Sequence, residues 1–76
     1  MDIKILGTGC PKCEKLADET KLVAEEMGLD YTISKVTKVM DIMSYGVIIT
    51  PALVVDGEVK ISGKVPAREE LKLMLQ

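Results

Sequence analysis

An apolar run, Ile3 to Leu6, breaks at Gly7-Thr8-Gly9 and passes through Cys10-Pro11-Lys12-Cys13 into a stretch with helical spacing. This strand-turn-helix succession constrains the fold more than any other feature, because sequential β-α-β units imply a partly parallel sheet with helices packed on its faces. The junction also carries the only two cysteines of a chain that has no histidine. Nothing else in the sequence offers a comparable pair of nucleophiles.

The periodicity extends this pattern along the chain. Ile3 and Ile5 alternate with Asp2 and Lys4, which predicts a first strand. From Cys13, the positions Leu16, Ala17, Thr20, Val23, Ala24 and Met27 recur at three-and-four spacing, with Glu14, Lys15, Asp18, Glu19, Lys21, Glu25 and Glu26 opposite and Gly28 as the stop. Tyr31 and Ile33 alternate with Thr32 and Ser34 as a second strand. Val36, Val39, Met40 and Met43 return to helical spacing, with Thr37 as N-cap and Gly46 as the stop, and the two methionines read as core filling. Tyr31 and Tyr45 read as half-buried packing groups with wet hydroxyls.

Ala52 to Val55 is a continuous apolar run, Asp56-Gly57 is a two-residue hairpin signal, and Val59 and Ile61 alternate with polar neighbours. Pro66 suits the first turn of a last helix whose apolar positions are Ala67, Leu71, Met74 and Leu75. The order is βαβαββα, an α/β domain covering residues 1–76.

A chain of 76 residues makes one small domain with a modest core, and 47% hydrophobic with 29% charged residues is a globular composition. Ten basic and twelve acidic residues are intermixed, giving a net charge of −2 and no positive stripe to follow a phosphate backbone. Two tyrosines are the only aromatics, so neither nucleic acid nor membrane is expected as a partner. No transmembrane segment or export signal is visible, which makes a cytoplasmic setting and a monomer the expectation.

Pro11 fits the first helical position, because its missing N–H would lack an intrahelical partner there. Cys10 then becomes the N-cap, Lys12 the second helical residue and Cys13 the third. A helix start carries about half a positive charge and stabilises an anion by roughly 0.3–1 kcal/mol, up to about 2 kcal/mol when partly buried. The Cys10 thiol is therefore expected to titrate below the ~8.5 of a free cysteine and to act as nucleophile. Lys12 adds its ammonium nearby or stands simply as a solubilising charge. Cys13 heads the apolar stripe, faces inward, and is the resolving thiol that leaves a Cys10–Cys13 bond. As a purely structural staple so short a loop would contribute only about 2 kcal/mol.

These residues resemble the thioredoxin and glutaredoxin superfamily, most closely its small, glutaredoxin-sized thioredoxin-like members. Three pieces carry the likeness: Cys10-Pro11-Lys12-Cys13 after the first strand, Thr50-Pro51 before the Ala52 to Val55 strand with its Asp56-Gly57 turn, and Ser62-Gly63 before the last helix. The resemblance implies a thioredoxin-like fold, with a four-stranded mixed sheet and three flanking helices. It implies a cis bond at Pro51, packed against the dithiol, and a substrate segment paired along Thr50 with Ser62 and Gly63 beside it. Gly9, Pro11 and Lys12 shape the site. No cofactor is implied beyond the redox-active Cys10–Cys13 pair, and the partners implied are disulfide-bearing proteins and a dithiol or flavin reductase as electron donor.

The departures are specific. Gly9 stands where thioredoxins carry an aromatic residue before the first cysteine, and Lys4 stands where they place a buried acid. No base for Cys13 is evident. Thr8-Gly9 and Ser62-Gly63-Lys64 replace the glutathione-holding stretches of glutaredoxins, which favours protein disulfides over glutathione.

The rival reading is a soft-metal module that holds Cu(I) with the same two cysteines, as small copper-binding ferredoxin-like domains do after their first strand. That architecture closes on a strand, whereas this chain closes on helical spacing, and Pro11 stiffens the loop that would wrap the ion. A zinc site is weaker still, since two cysteines without histidine fill only half of a four-coordinate shell.

Overall fold

The computed structural model describes residues 1–9 and 11–76; the expectations that fall on Cys10, its N-cap placement among them, lie outside the described residues. The elements are β1 (Asp2–Leu6), α1 (Pro11–Glu26), β2 (Thr32–Val36), α2 (Val39–Ser44), β3 (Ala52–Val55), β4 (Glu58–Ser62) and α3 (Arg68–Met74). The strands form one mixed sheet in the order β2-β1-β3-β4, with three helices, and the fold is thioredoxin-like as the resemblance implies.

β1 is the hub of the sheet. It runs parallel to β2, Asp2 opposite Thr32 through Leu6 opposite Val36, and antiparallel to β3, Ile3 opposite Val55 through Leu6 opposite Ala52. β3 pairs antiparallel with β4 through the Asp56-Gly57 turn, where both φ angles are positive, at 51° and 83°. Those are the angles a tight hairpin turn requires, and Asp and Gly adopt them most readily.

Alternation along the central strands divides the core in two. On one face Ile3, Ile5, Leu53 and Val55 receive Leu16, Ala17, Val23 and Ala24 of α1, together with Leu71 and the adjacent Leu75 at the end of α3. On the other, Leu6, Ala52 and Val54 are covered by Ile42 and Val47. All four residues of β3 are buried, which accounts for its unbroken apolar run.

The second face is where the structure corrects the periodicity. Val36 closes β2 instead of opening α2, and α2 is capped by Lys38 with no side-chain hydrogen bond, not by Thr37. Within α2 only Ile42 is buried; Val39, Met40 and Met43 are 59%, 79% and 59% exposed, so the methionines do not fill the core. A helix of six residues has room for one inward contact, and Ile42 takes it. α3 also starts late, with Ala67 as its N-cap and Pro66 buried ahead of it.

Lys4 projects from the α2 side of β1, opposite Val54. Its Nζ donates to the Tyr45 hydroxyl at 3.1 Å and lies 5.8 Å from the centre of that ring and 3.9 Å from Asp2 Oδ2. Tyr31 is likewise half-buried, its hydroxyl donating to Glu25 at 3.2 Å.

The two helices of the first face are also tied by charge. Arg68 Nε donates to Glu19 Oε2 at 2.6 Å, and that hydrogen bond, reinforced by the charges of Arg68 and Lys15, holds the Glu19 carboxyl below its ordinary 4.5 against partial desolvation. A carboxylate with a depressed folded-state pKa adds stability above its ordinary value and loses it as pH falls through the depressed one. Urea midpoints should therefore place wild type slightly above Glu19→Gln at pH ~7, with the gap closing as acidification protonates the Glu19 carboxyl in the folded chain. A gap that persists in acid contradicts the pairing.

Candidate active site

Three stretches of chain meet where β1 ends. The Gly7 N–H donates to the Val36 carbonyl at 2.9 Å, carrying the parallel ladder one residue beyond the strand. The chain then turns through exposed Thr8 and Gly9 and begins α1 at Pro11. Pro11 and Lys12 are exposed, whereas Cys13 is 4% exposed. Cys13 thus occupies the first turn of α1 with its side chain turned inward, as the apolar stripe it heads predicts.

Gly7 lies directly against that side chain. A Cβ at Gly7 would overlap Cys13 Sγ, and it would stand 3.0 Å from Cys13 Cβ and 4.0 Å from Thr50 Cβ. The strand end, the Cys13 side chain and Thr50 therefore converge on one point.

Thr50 precedes Pro51 across a cis peptide bond, and Pro51 is fully buried. The Pro51 carbonyl accepts from the Gly63 N–H at 2.8 Å, and Ser62 pairs with Ala52, so the loop before β3 is stitched to the end of β4. Gly63 has φ +84°, and a Cβ there would lie 3.1 Å from Ile49 Cγ2. An L side chain is disfavoured at this φ and crowded by the neighbour. Thr50, Pro51, Ser62 and Gly63 accordingly form one cluster, and Thr50 links it to Gly7 and Cys13.

Beside the cluster runs a groove of about 210 Å³ lined by Thr8, Val39, Ile42, Met43, Val47, Ile48 and Thr50. None of these side chains is charged. Ile48 is 92% exposed at its rim and Ile49 beyond it is 64% exposed. The sequence alone assigns no role to Ile48 and Ile49 and does not reveal the space requirement at Gly7. The available signal was an apolar pair abutting Thr50-Pro51 without the alternation of a strand.

The basic residues flanking the start of α3 are paired with acids. Arg68 is committed to Glu19, and Lys64 Nζ lies 3.9 Å from Glu70 Oε2, consistent with a solvated helix start. Lys4, at the position of the buried acid of thioredoxins, is engaged by Tyr45 on the α2 face, while α1 packs on the other. The Tyr45 hydrogen bond, then the charges of Tyr45 and Asp2, raise the Lys4 pKa above its ordinary 10.5. Among the described residues, no group of three or more His, Cys, Asp or Glu side chains is placed to hold a metal ion.

Known proteins are similar to this chain over most of its length. The chain is 39% identical to a thioredoxin of Methanothermobacter thermautotrophicus over 75 residues, which is 99% of this chain and 97% of that protein. It is 43% identical to a thioredoxin of Methanocaldococcus jannaschii over 70 residues, 92% of this chain and 80% of that one. Residues 1–76 match the thioredoxin domain family along their whole length, and the chain belongs to that family as a small thioredoxin-like redox protein.

Proposed function

We propose that this chain is a thiol–disulfide oxidoreductase that reduces protein disulfides with Cys10 and Cys13. The observation that carries the reading is the convergence of the buried Cys13 side chain with Gly7 and Thr50, next to Pro51, at the start of a helix immediately preceded by Cys10. Family membership supports the same chemistry.

In the proposed cycle the Cys10 thiolate attacks one sulfur of a substrate disulfide. A Cys10–substrate S–S bond forms, the substrate S–S bond breaks, and one substrate thiolate leaves and takes a proton from water. Cys13, having lost its proton to solvent, attacks the Cys10 sulfur. The Cys10–Cys13 bond forms, the second substrate thiolate departs, and two electrons have passed from the dithiol to the substrate. A dithiol or flavin reductase would return them.

The substrate segment lies along Thr50, with Ser62 and Gly63 beside it and an apolar flank in the Thr8–Met43–Ile48 groove; Gly9, Pro11 and Lys12 frame the approach. A reducing compartment such as the cytoplasm suits a dithiol of this kind, and the 76-residue domain acts as a monomer without a bound cofactor.

Reduction of insulin with dithiothreitol as electron source tests the central assignment. Wild type should accelerate precipitation of the insulin B chain, Cys10→Ser should match the uncatalysed background, and Cys13→Ser should fall close to it, because only dithiothreitol can then resolve the mixed disulfide. Full activity in Cys10→Ser contradicts the reading. Absence of turnover by wild type, together with tight stoichiometric Cu(I) binding, supports the metal module instead.

The groove makes a separate prediction. A buried aliphatic side chain contributes about 1.5–3 kcal/mol, so Ile48→Asp should lower kcat/KM for insulin about tenfold while lowering it far less for a small soluble disulfide. Because Ile48 is exposed, folding should change little. Equal losses on both substrates contradict docking in the groove.

A further inference from the structure

Gly7 is a glycine for reasons of space and not of backbone conformation. Gly9, Gly28, Gly46, Gly57 and Gly63 all have positive φ, and Gly7 does not. An L side chain would suit its backbone, yet the volume its Cβ would fill is taken by the Cys13 sulfur.

The walls of this slot are fixed. Gly7 is held by its hydrogen bond to Val36, and Leu6 before it is fully buried between Val36 and Ala52. Cys13 is carried by α1, which is anchored three and four residues further on by Leu16 and Ala17 in the core. Thr50 closes the third side. Neither the strand nor the helix has slack to absorb an added methyl group, so a displaced sulfur is the outcome left open.

We infer that Gly7 is a positioning residue: the side chain it lacks is the seat of the Cys13 sulfur, and that seat sets the rate at which Cys13 resolves the mixed disulfide. The inference rests on the dithiol reading above and deepens it. Carbon and its non-bonded neighbours settle at roughly 3.5–4 Å, so a Cβ at residue 7 displaces the sulfur by more than about 1 Å, by rotation about χ1. Misplacement on that scale costs a reacting pair up to about a hundredfold in rate. The Cys13 sulfur forms no bond when Cys10 attacks a substrate, so that step is slowed least.

A single-turnover reaction with one equivalent of 5,5′-dithiobis(2-nitrobenzoate) separates the two steps. Attack by Cys10 releases one thionitrobenzoate and leaves the other bound to Cys10; attack by Cys13 on the Cys10 sulfur releases the second. In Gly7→Ala the first release should stay within about threefold of wild type, and the second should slow by about 10- to 100-fold, with the adduct visible by mass. Unchanged release of both equivalents, or equal slowing of both, overturns the proposal. A wild-type chain that releases neither equivalent overturns the dithiol reading, and this proposal with it.

Stability provides a readout independent of turnover, which also serves if Gly7→Ala folds poorly. In the Cys13→Ala background the sulfur is gone and only the 3.0 Å approach of the two Cβ atoms remains. Gly7→Ala should then lower the urea midpoint far less than it does with Cys13 present. The same loss in both backgrounds means that something other than the sulfur fills the space, and overturns the proposal.

Discussion

Everything at the site is positioned by the burial of β1. This strand is paired along both edges and covered on both faces, with Ile3 and Ile5 under α1 and α3 and Leu6 under the α2 side. A strand so enclosed cannot slip, because a one-residue change of register would exchange its two faces. The point at which it ends is therefore fixed, and with it Gly7, the turn through Thr8 and Gly9, and the start of α1. The Cys13 side chain inherits its place from that chain of constraints.

The two faces of the sheet have different tasks. The first is filled by a sixteen-residue α1 locked by Leu16, Val23 and Ala24 and tied to α3 through Glu19 and Arg68. The second is covered thinly, by Ile42 and Val47, with Lys4 and Tyr45 closing its edge. A thin cover leaves Val39, Met40, Met43, Ile48 and Ile49 facing water. Apolar surface beside the proposed dithiol would suit transient contact with varied chains, and methionine adapts to such contacts more easily than branched side chains.

Much of this was legible in the residues. Strand alternation at Asp2 to Leu6, the apolar run at Ala52 to Val55 and the Asp56-Gly57 turn marked their elements because burial and turn geometry act locally there. Pro11 marked the helix start, since only a first-turn position tolerates its missing N–H. The face of α2 was not legible: Val39, Met40 and Met43 have helical spacing, but which side of so short a helix is buried is decided by Ile42, Tyr45 and Val47 meeting the sheet. The same holds for Gly7. Sequence marks a glycine in a turn, but only the fold brings a sulfur six positions later into the space of its absent side chain.

The central claim is that a helix start gives Cys10 and Cys13 opposite characters, one favoured as thiolate and one sheltered. Thiolate absorbance near 240 nm, followed against pH in Cys13→Ser and Cys10→Ser, reads each sulfur separately. The account predicts that Cys10 titrates below the ~8.5 of a free cysteine and below Cys13. Two coincident titrations at the free-cysteine value would contradict it.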